Sequence, residues 1–155
     1  MKTLIMLSAI PASGKSTWAK KYKETHDNVF IVSSDAIRME ITGGDFHDQS
    51  KQRLVWEIFD NRIHEYAKND NCTVILDALN DVNDVRLRYL TTTPEFDKKI
   101  LVLFEVNLER SMYYNSLRDE KVKVPDEAMV ELKNKFQEPS EEVLELVDEI
   151  IQVKW

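Results

Sequence analysis

Cysteine is almost missing from this sequence: of 155 residues only Cys72 carries a thiol. An internal disulfide is thereby excluded, and a reducing, cytoplasmic setting is the expectation. Long apolar runs are missing as well. The N-terminal stretch from Leu4 to Ile10 is far shorter than the ~20 residues a membrane-spanning helix needs, and no cleavage pattern follows it, so neither a membrane segment nor a signal peptide is expected. The three histidines, His26, His47 and His64, share no ligand spacing and have no cysteine partner, which argues against a structural metal site. Nor does any serine combine with a histidine and an acid into a hydrolytic set. Positive charge is in deficit: the net charge of -7 argues against a broad nucleic-acid-coating surface, though not against a local basic groove. No repeat or low-complexity tract is present. What remains, 43% hydrophobic and 32% charged, describes a globular protein whose 155 residues make one domain with one substantial core.

Glycine is scarce too, with three in the chain, and one of them lies in the most informative stretch. Leu4-Ile5-Met6-Leu7-Ser8-Ala9 reads as a buried strand running into Ile10-Pro11-Ala12-Ser13-Gly14-Lys15-Ser16-Thr17, which closes as the phosphate-binding P-loop (Walker A) signature does. The residue types suit that chemistry. Successive backbone N–H groups curl round an anion, Lys15 supplies a point charge for the outer phosphates, and the Ser16 hydroxyl ligates Mg²⁺. Residues Pro11 to Thr17 are thus the nucleotide-binding candidates, with a helix behind them adding its positive N-terminal dipole. Ala9 stands where the signature has its first glycine. That position mainly sets the exit from the strand, whereas Gly14 must let backbone approach phosphate.

Beyond this loop, strands alternate with helices. Strands are expected near 28–33, 72–76, 99–106 and 149–153. Helices are expected near 15–24, 34–41, 49–68, 81–93, 108–117 and 126–136. Ser34 or Asp35 is expected to cap the second helix, Gly43-Gly44 to break it, and Pro125 to sit in the first turn of the sixth. Such alternation implies a parallel sheet with helices on both faces. In such sheets the carboxyl ends of the strands face the ligand crevice, which brings Asp35 and Arg38 to the P-loop side.

Four further positions carry chemistry in this reading. Asp77, at the tip of the third strand, either holds Mg²⁺ or caps the segment that follows. Asp35 is the candidate general base, with helix capping as the alternative, and Arg38, three residues on, either binds an acceptor phosphate beside it or makes an ordinary ion pair. Among the basic residues Arg118, Lys121 and Lys123, Arg118 is placed to close over a transferring phosphoryl group and the lysines read as solvated charge. Phe46, in the loop after Gly44, is a candidate for stacking on a base.

Together the runs Pro11–Ala19, Ser34-Asp35 with Arg38, Asp77-Ala78-Leu79-Asn80, and Asn115–Arg118 before Val124-Pro125 resemble the kinase domain of phage 5′-hydroxyl polynucleotide kinases and related small P-loop kinases. The resemblance implies a three-layer, adenylate-kinase-like α/β P-loop fold of about five parallel strands in the order 2-3-1-4-5, with a lid around 110–125. It implies ATP and Mg²⁺ as cofactors, Lys15 and Ser16 serving the donor phosphates, Asp35 as base, Arg38 on the acceptor's phosphate and Arg118 on the lid. The acceptor it implies is the 5′-hydroxyl of a nucleic acid. The sequence leaves two alternatives open: a nucleoside, sugar or antibiotic acceptor, which the acidic charge favours, and an ATP-binding regulatory module without turnover. No Asp-x-Asp phosphatase pattern follows the kinase-like part.

Overall fold

The computed structural model describes residues 1–154. Five strands and seven helices follow one another as β1 (Thr3–Ser8), α1 (Lys15–Thr25), β2 (Val29–Ser33), α2 (Ser34–Ile41), α3 (Gln52–Tyr66), β3 (Thr73–Asp77), α4 (Asn83–Thr91), β4 (Lys98–Phe104), α5 (Leu108–Ser116), α6 (Asp126–Lys135), α7 (Glu141–Leu146) and β5 (Glu149–Val153). The strands form one parallel sheet in the order β2-β3-β1-β4-β5, as expected for a P-loop fold.

Both faces of the sheet are covered, which is why β1 and β3 are near-continuous apolar runs and do not alternate with polar residues. Leu4, Met6, Val32, Leu76 and Leu101 pack with Val55, Phe59 and Ile63 of α3 and Tyr89 and Leu90 of α4. Ile5, Leu7, Ile75 and Val102 face the other way, against Ala19, with Trp18 and Tyr22 at the rim. Truncating a fully buried anchor such as Phe59 to alanine removes about 3–5 kcal/mol.

Register brings the functional ends level. Met6 lies opposite Leu76, and Ser33 lies opposite Asp77, so β2 and β3 finish together beside the loop that leaves β1.

Local differences from the sequence expectation have physical causes. The cap of α2 is Ser33, whose hydroxyl accepts from the Ala36 N–H at 3.1 Å, so Ser34 and Asp35 fall in the first turn. Helix α3 starts at Gln52 because Asp48 turns the preceding chain by accepting from the Ser50 N–H at 2.8 Å. Leu54 falls off the buried stripe of α3 and is exposed. Pro125 occupies the cap of α6, one place before the first turn.

Candidate active site

Three strand ends and one connector build the site. Ala9, in the place of the missing glycine, is fully buried and its N–H donates to the Leu79 carbonyl at 2.9 Å, so it simply prolongs β1. The left-handed turns of the loop fall instead at Ala12 (φ 60°) and Gly14 (φ 90°). An alanine at position 9 is therefore unstrained. A Cβ at Gly14 would meet nothing within 4 Å, so its backbone conformation, more than crowding by the protein, reserves that place for glycine.

Gly14 also caps α1. It offers no side chain to the first turn, and that turn holds no acidic residue. Among the described residues no backbone N–H from Ile10 to Thr17 donates to a protein carbonyl, while Ser13 Oγ closes the loop on Ile10 O at 2.8 Å. A row of free N–H groups at a helix N-terminus is suited to a polyphosphate.

Lys15, Ser16 and Asp77 meet at this loop. Ser16 Oγ donates to Asp77 Oδ2 at 2.9 Å, and Lys15 Nζ stands 3.4 Å from Oδ1. Both Lys15 and Asp77 are buried, and Asp77 Oδ1 accepts no hydrogen bond. Asp77 does not cap a helix: residues 78–82 are not helical, and α4 is preceded by Val82. A hydroxyl and a carboxylate side by side, one carboxylate oxygen still short of a partner, are the hard oxygen donors that Mg²⁺ takes.

Across the crevice, Asp35 Oδ1 accepts from Arg38 Nη1 at 2.8 Å. The pair is lopsided, with the Arg38 side chain 8% exposed and Asp35 48%. Gln52 Oε1 accepts from the other terminal nitrogen of Arg38 at 3.0 Å, and Arg38 Nε is buried without a partner. Arg38 thus holds one face of Asp35 and leaves the carboxylate open to a cavity of about 940 Å³, which Lys15, Phe46, Trp56 and Arg88 also line. Deeper along that cavity Tyr89 donates to Asp60 at 2.8 Å, and burial, with Asp60 beside it, pushes the phenol well above its usual range.

A second cavity, of about 470 Å³, lies on the outer side of the P-loop between Gly14, Trp18, Tyr114 and the end of β5. Arg118 borders both cavities. It is half-buried and, among the described residues, makes no ion pair. The connector that carries it is closed by Asn115, which donates to Val124 O at 2.6 Å and accepts from the Val124 N–H at 3.0 Å. Lys123 is tied to Glu120 at 2.8 Å. His47, next to Phe46, reaches Glu120 O at 3.4 Å, so the loop after α2 touches the connector.

Two contributors escaped the sequence reading: Gln52, which braces Arg38, and a buried polar group of Ser8, Asn80 and Arg86 behind the P-loop. The available signal was positional. Arg86, Tyr89 and Leu90 share the buried face of α4, and an arginine in an apolar stripe needs a reason.

Sheet order, P-loop and crevice define a P-loop kinase fold, which binds nucleotide with a divalent metal. The AAA domain family profile matches residues 4–139, and the chain belongs to that family. Its fold is similar to a chain of the Pnkp1/Rnl/Hen1 RNA repair complex (20% identity, TM-score 0.72, covering 86% of this chain and 43% of that one). It is also similar to Chaetomium thermophilum Kti12 in complex with ADP-AlF3 (15%, 0.70, 98% and 89%). A gluconokinase from Sinorhizobium meliloti 1021 is a third match (14%, 0.64, 98% and 82%). The chain therefore spans less than half of the RNA repair protein it resembles. No helix among the described residues is long and apolar enough to cross a membrane.

Proposed function

We propose that the protein is an ATP-dependent kinase that transfers the γ-phosphoryl group to a hydroxyl, with the 5′-hydroxyl of a polynucleotide as acceptor. The observation that carries this reading is the pair of cavities that share Arg118, with Lys15 and a carboxylate, Asp35, facing the larger one. A protein that only held nucleotide would need the smaller cavity alone.

The donor lies with its nucleoside in the cavity between Trp18 and Tyr114 and its phosphates on the N–H groups of 12–17. Ser16 and Asp77 would hold Mg²⁺, which when bound would neutralise charge on the donor phosphates. Asp35 accepts the proton of the acceptor hydroxyl. The freed oxygen pair forms the new O–P bond as the bond from the γ-phosphorus to the β–γ bridging oxygen breaks, its electrons leaving with ADP. Lys15 and the lid residue Arg118 balance the charge spread over the transferring oxygens. Arg38 fixes Asp35 and, lining the same cavity, meets an acceptor phosphate there.

A polynucleotide end suits the larger cavity because Phe46 and Trp56 offer ring surface, with Arg53 and Arg88, paired with Glu57 and Asp60, along its outer part. Similarity to the RNA repair complex supports the same acceptor. A small polyol acceptor is the second reading, favoured by the net charge of -7 and by the gluconokinase match over 98% of this chain. Purified protein with γ-labelled ATP and Mg²⁺, offered a 5′-hydroxyl oligonucleotide, a nucleoside and gluconate in parallel, separates them. Label is expected in the oligonucleotide; label in gluconate or the nucleoside alone sinks the polynucleotide acceptor and keeps the kinase.

A further inference from the structure

Arg86 on α4 is completely buried, and among the described residues its hydrogen-bond partners are all neutral. Its Nε donates to Asn80 O at 2.9 Å, Nη1 to Asn83 Oδ1 at 2.8 Å and Nη2 to Ser8 Oγ at 2.8 Å, with the Phe136 ring 5.3 Å from the guanidinium carbon. A buried cation without a bonded carboxylate is costly, and burial here lowers the guanidinium's proton affinity against the more distant pull of Asp81 and Glu138. A leucine would fill the space at less cost. Packing alone does not account for an arginine.

Its partners do. Ser8 is the last residue of β1 before the P-loop, and its hydroxyl donates to Asn80 O at 2.7 Å. Asn80 is held left-handed (φ 43°), with its own amide donating to Leu7 O at 2.7 Å. One residue on either side of these, Ala9 N–H meets Leu79 O. The 78–82 segment that Arg86 grips begins directly after Asp77 and lines the acceptor cavity. Through Asn83, which accepts from the Ser140 N–H and donates to Glu138 O, the same fork reaches the chain that follows α6.

We infer that Arg86 is a positioning residue for phosphoryl transfer. Its planar fork clamps the exit of β1 to the segment after β3, and so sets where Lys15 stands relative to Asp77 and the acceptor. The inference rests on the kinase reading for its kinetic part only. Lysine keeps the charge but cannot reproduce three bonds in one plane, and a displacement of about 1 Å at such a site costs about a hundredfold in rate.

The test compares wild type, Arg86→Lys and Ser8→Ala for transfer kinetics and backbone amide exchange. In Arg86→Lys, kcat is expected to fall about 10- to 100-fold with the KM for ATP within about threefold. The Ala9 amide is expected to exchange at least about tenfold faster while Leu4 and Ile5 hold their protection. Ser8→Ala, which leaves the guanidinium in place, is expected to move both readouts the same way by less. An unchanged kcat and an unchanged Ala9 amide in Ser8→Ala overturn the inference, even if Arg86→Lys fails to fold. So does a uniform loss of protection along β1 at unaltered kcat, the mark of a merely structural role. If wild type transfers phosphate to no acceptor, the kinase reading fails by itself, and the selective exchange of Ala9 still decides the clamp.

Discussion

The Ser16 hydroxyl donates to Asp77 Oδ2 at 2.9 Å across 61 residues of sequence, joining the first turn of α1 to the tip of β3. That contact makes two oxygens neighbours and leaves Oδ1, the third, buried and without a hydrogen bond. Asp77→Asn preserves the shape and removes the charge. Calorimetric titration is expected to show ADP affinity in the presence of Mg²⁺ reduced about 10- to 100-fold, with metal-free ADP binding little changed. Equal Mg²⁺ dependence in the variant and wild type removes Asp77 from the metal site.

Arg118 is half-buried, borders both cavities and makes no ion pair among the described residues, so stability asks little of it. Arg118→Ala is expected to leave the melting temperature unaltered and to lower kcat about 100-fold or more, with Arg118→Lys recovering only part. A variant with normal kcat places the connector outside the reaction.

A pH effect on stability is expected away from the site. The hydrogen bond from Arg62 to Glu40, opposed by slight burial, holds the Glu40 carboxyl below its usual range. A carboxyl depressed in the folded state contributes stability above its unfolded pKa, and the contribution is lost as pH falls through the folded value. Glu40→Gln should therefore lower the unfolding free energy slightly at pH 7, by no more than about 1 kcal/mol for so exposed a pair. At pH 2 the variant and wild type should coincide. A difference that persists in acid assigns the effect to something other than ionisation.

How much of this was legible in the sequence follows from how local each signal is. A strand that ends in Pro11-Ala12-Ser13-Gly14-Lys15-Ser16-Thr17 is local, and so is the alternation of apolar runs with helical periods; both lead to a parallel sheet with helices on both faces, whereas its strand order followed from the resemblance to small P-loop kinases. Asp77 is at the strand tip where the sequence places it. Its contact with Ser16 depends on register between β1 and β3, which no single stretch encodes. Cap assignments at Ser34 and Asp35 slipped by one or two residues because three consecutive residues, Ser33 to Asp35, can each cap, and only the exit angle of β2 chooses. Arg86 was hidden for a different reason. Its partners come from β1, the segment after β3 and its own helix, and a charged residue in a helix is ordinarily read as surface.

Asp35 is proposed to serve an acceptor on the far side of the P-loop from the donor. The most direct measurement is transfer from γ-labelled ATP to a 5′-hydroxyl oligonucleotide by wild type and Asp35→Asn, with ATP binding followed in the same preparations. Asparagine can still accept from Arg38, so the local frame is kept while the base is lost. Unchanged ATP affinity with transfer reduced at least about a hundredfold is the expected result. Transfer at the wild-type rate in Asp35→Asn would contradict the two-substrate arrangement.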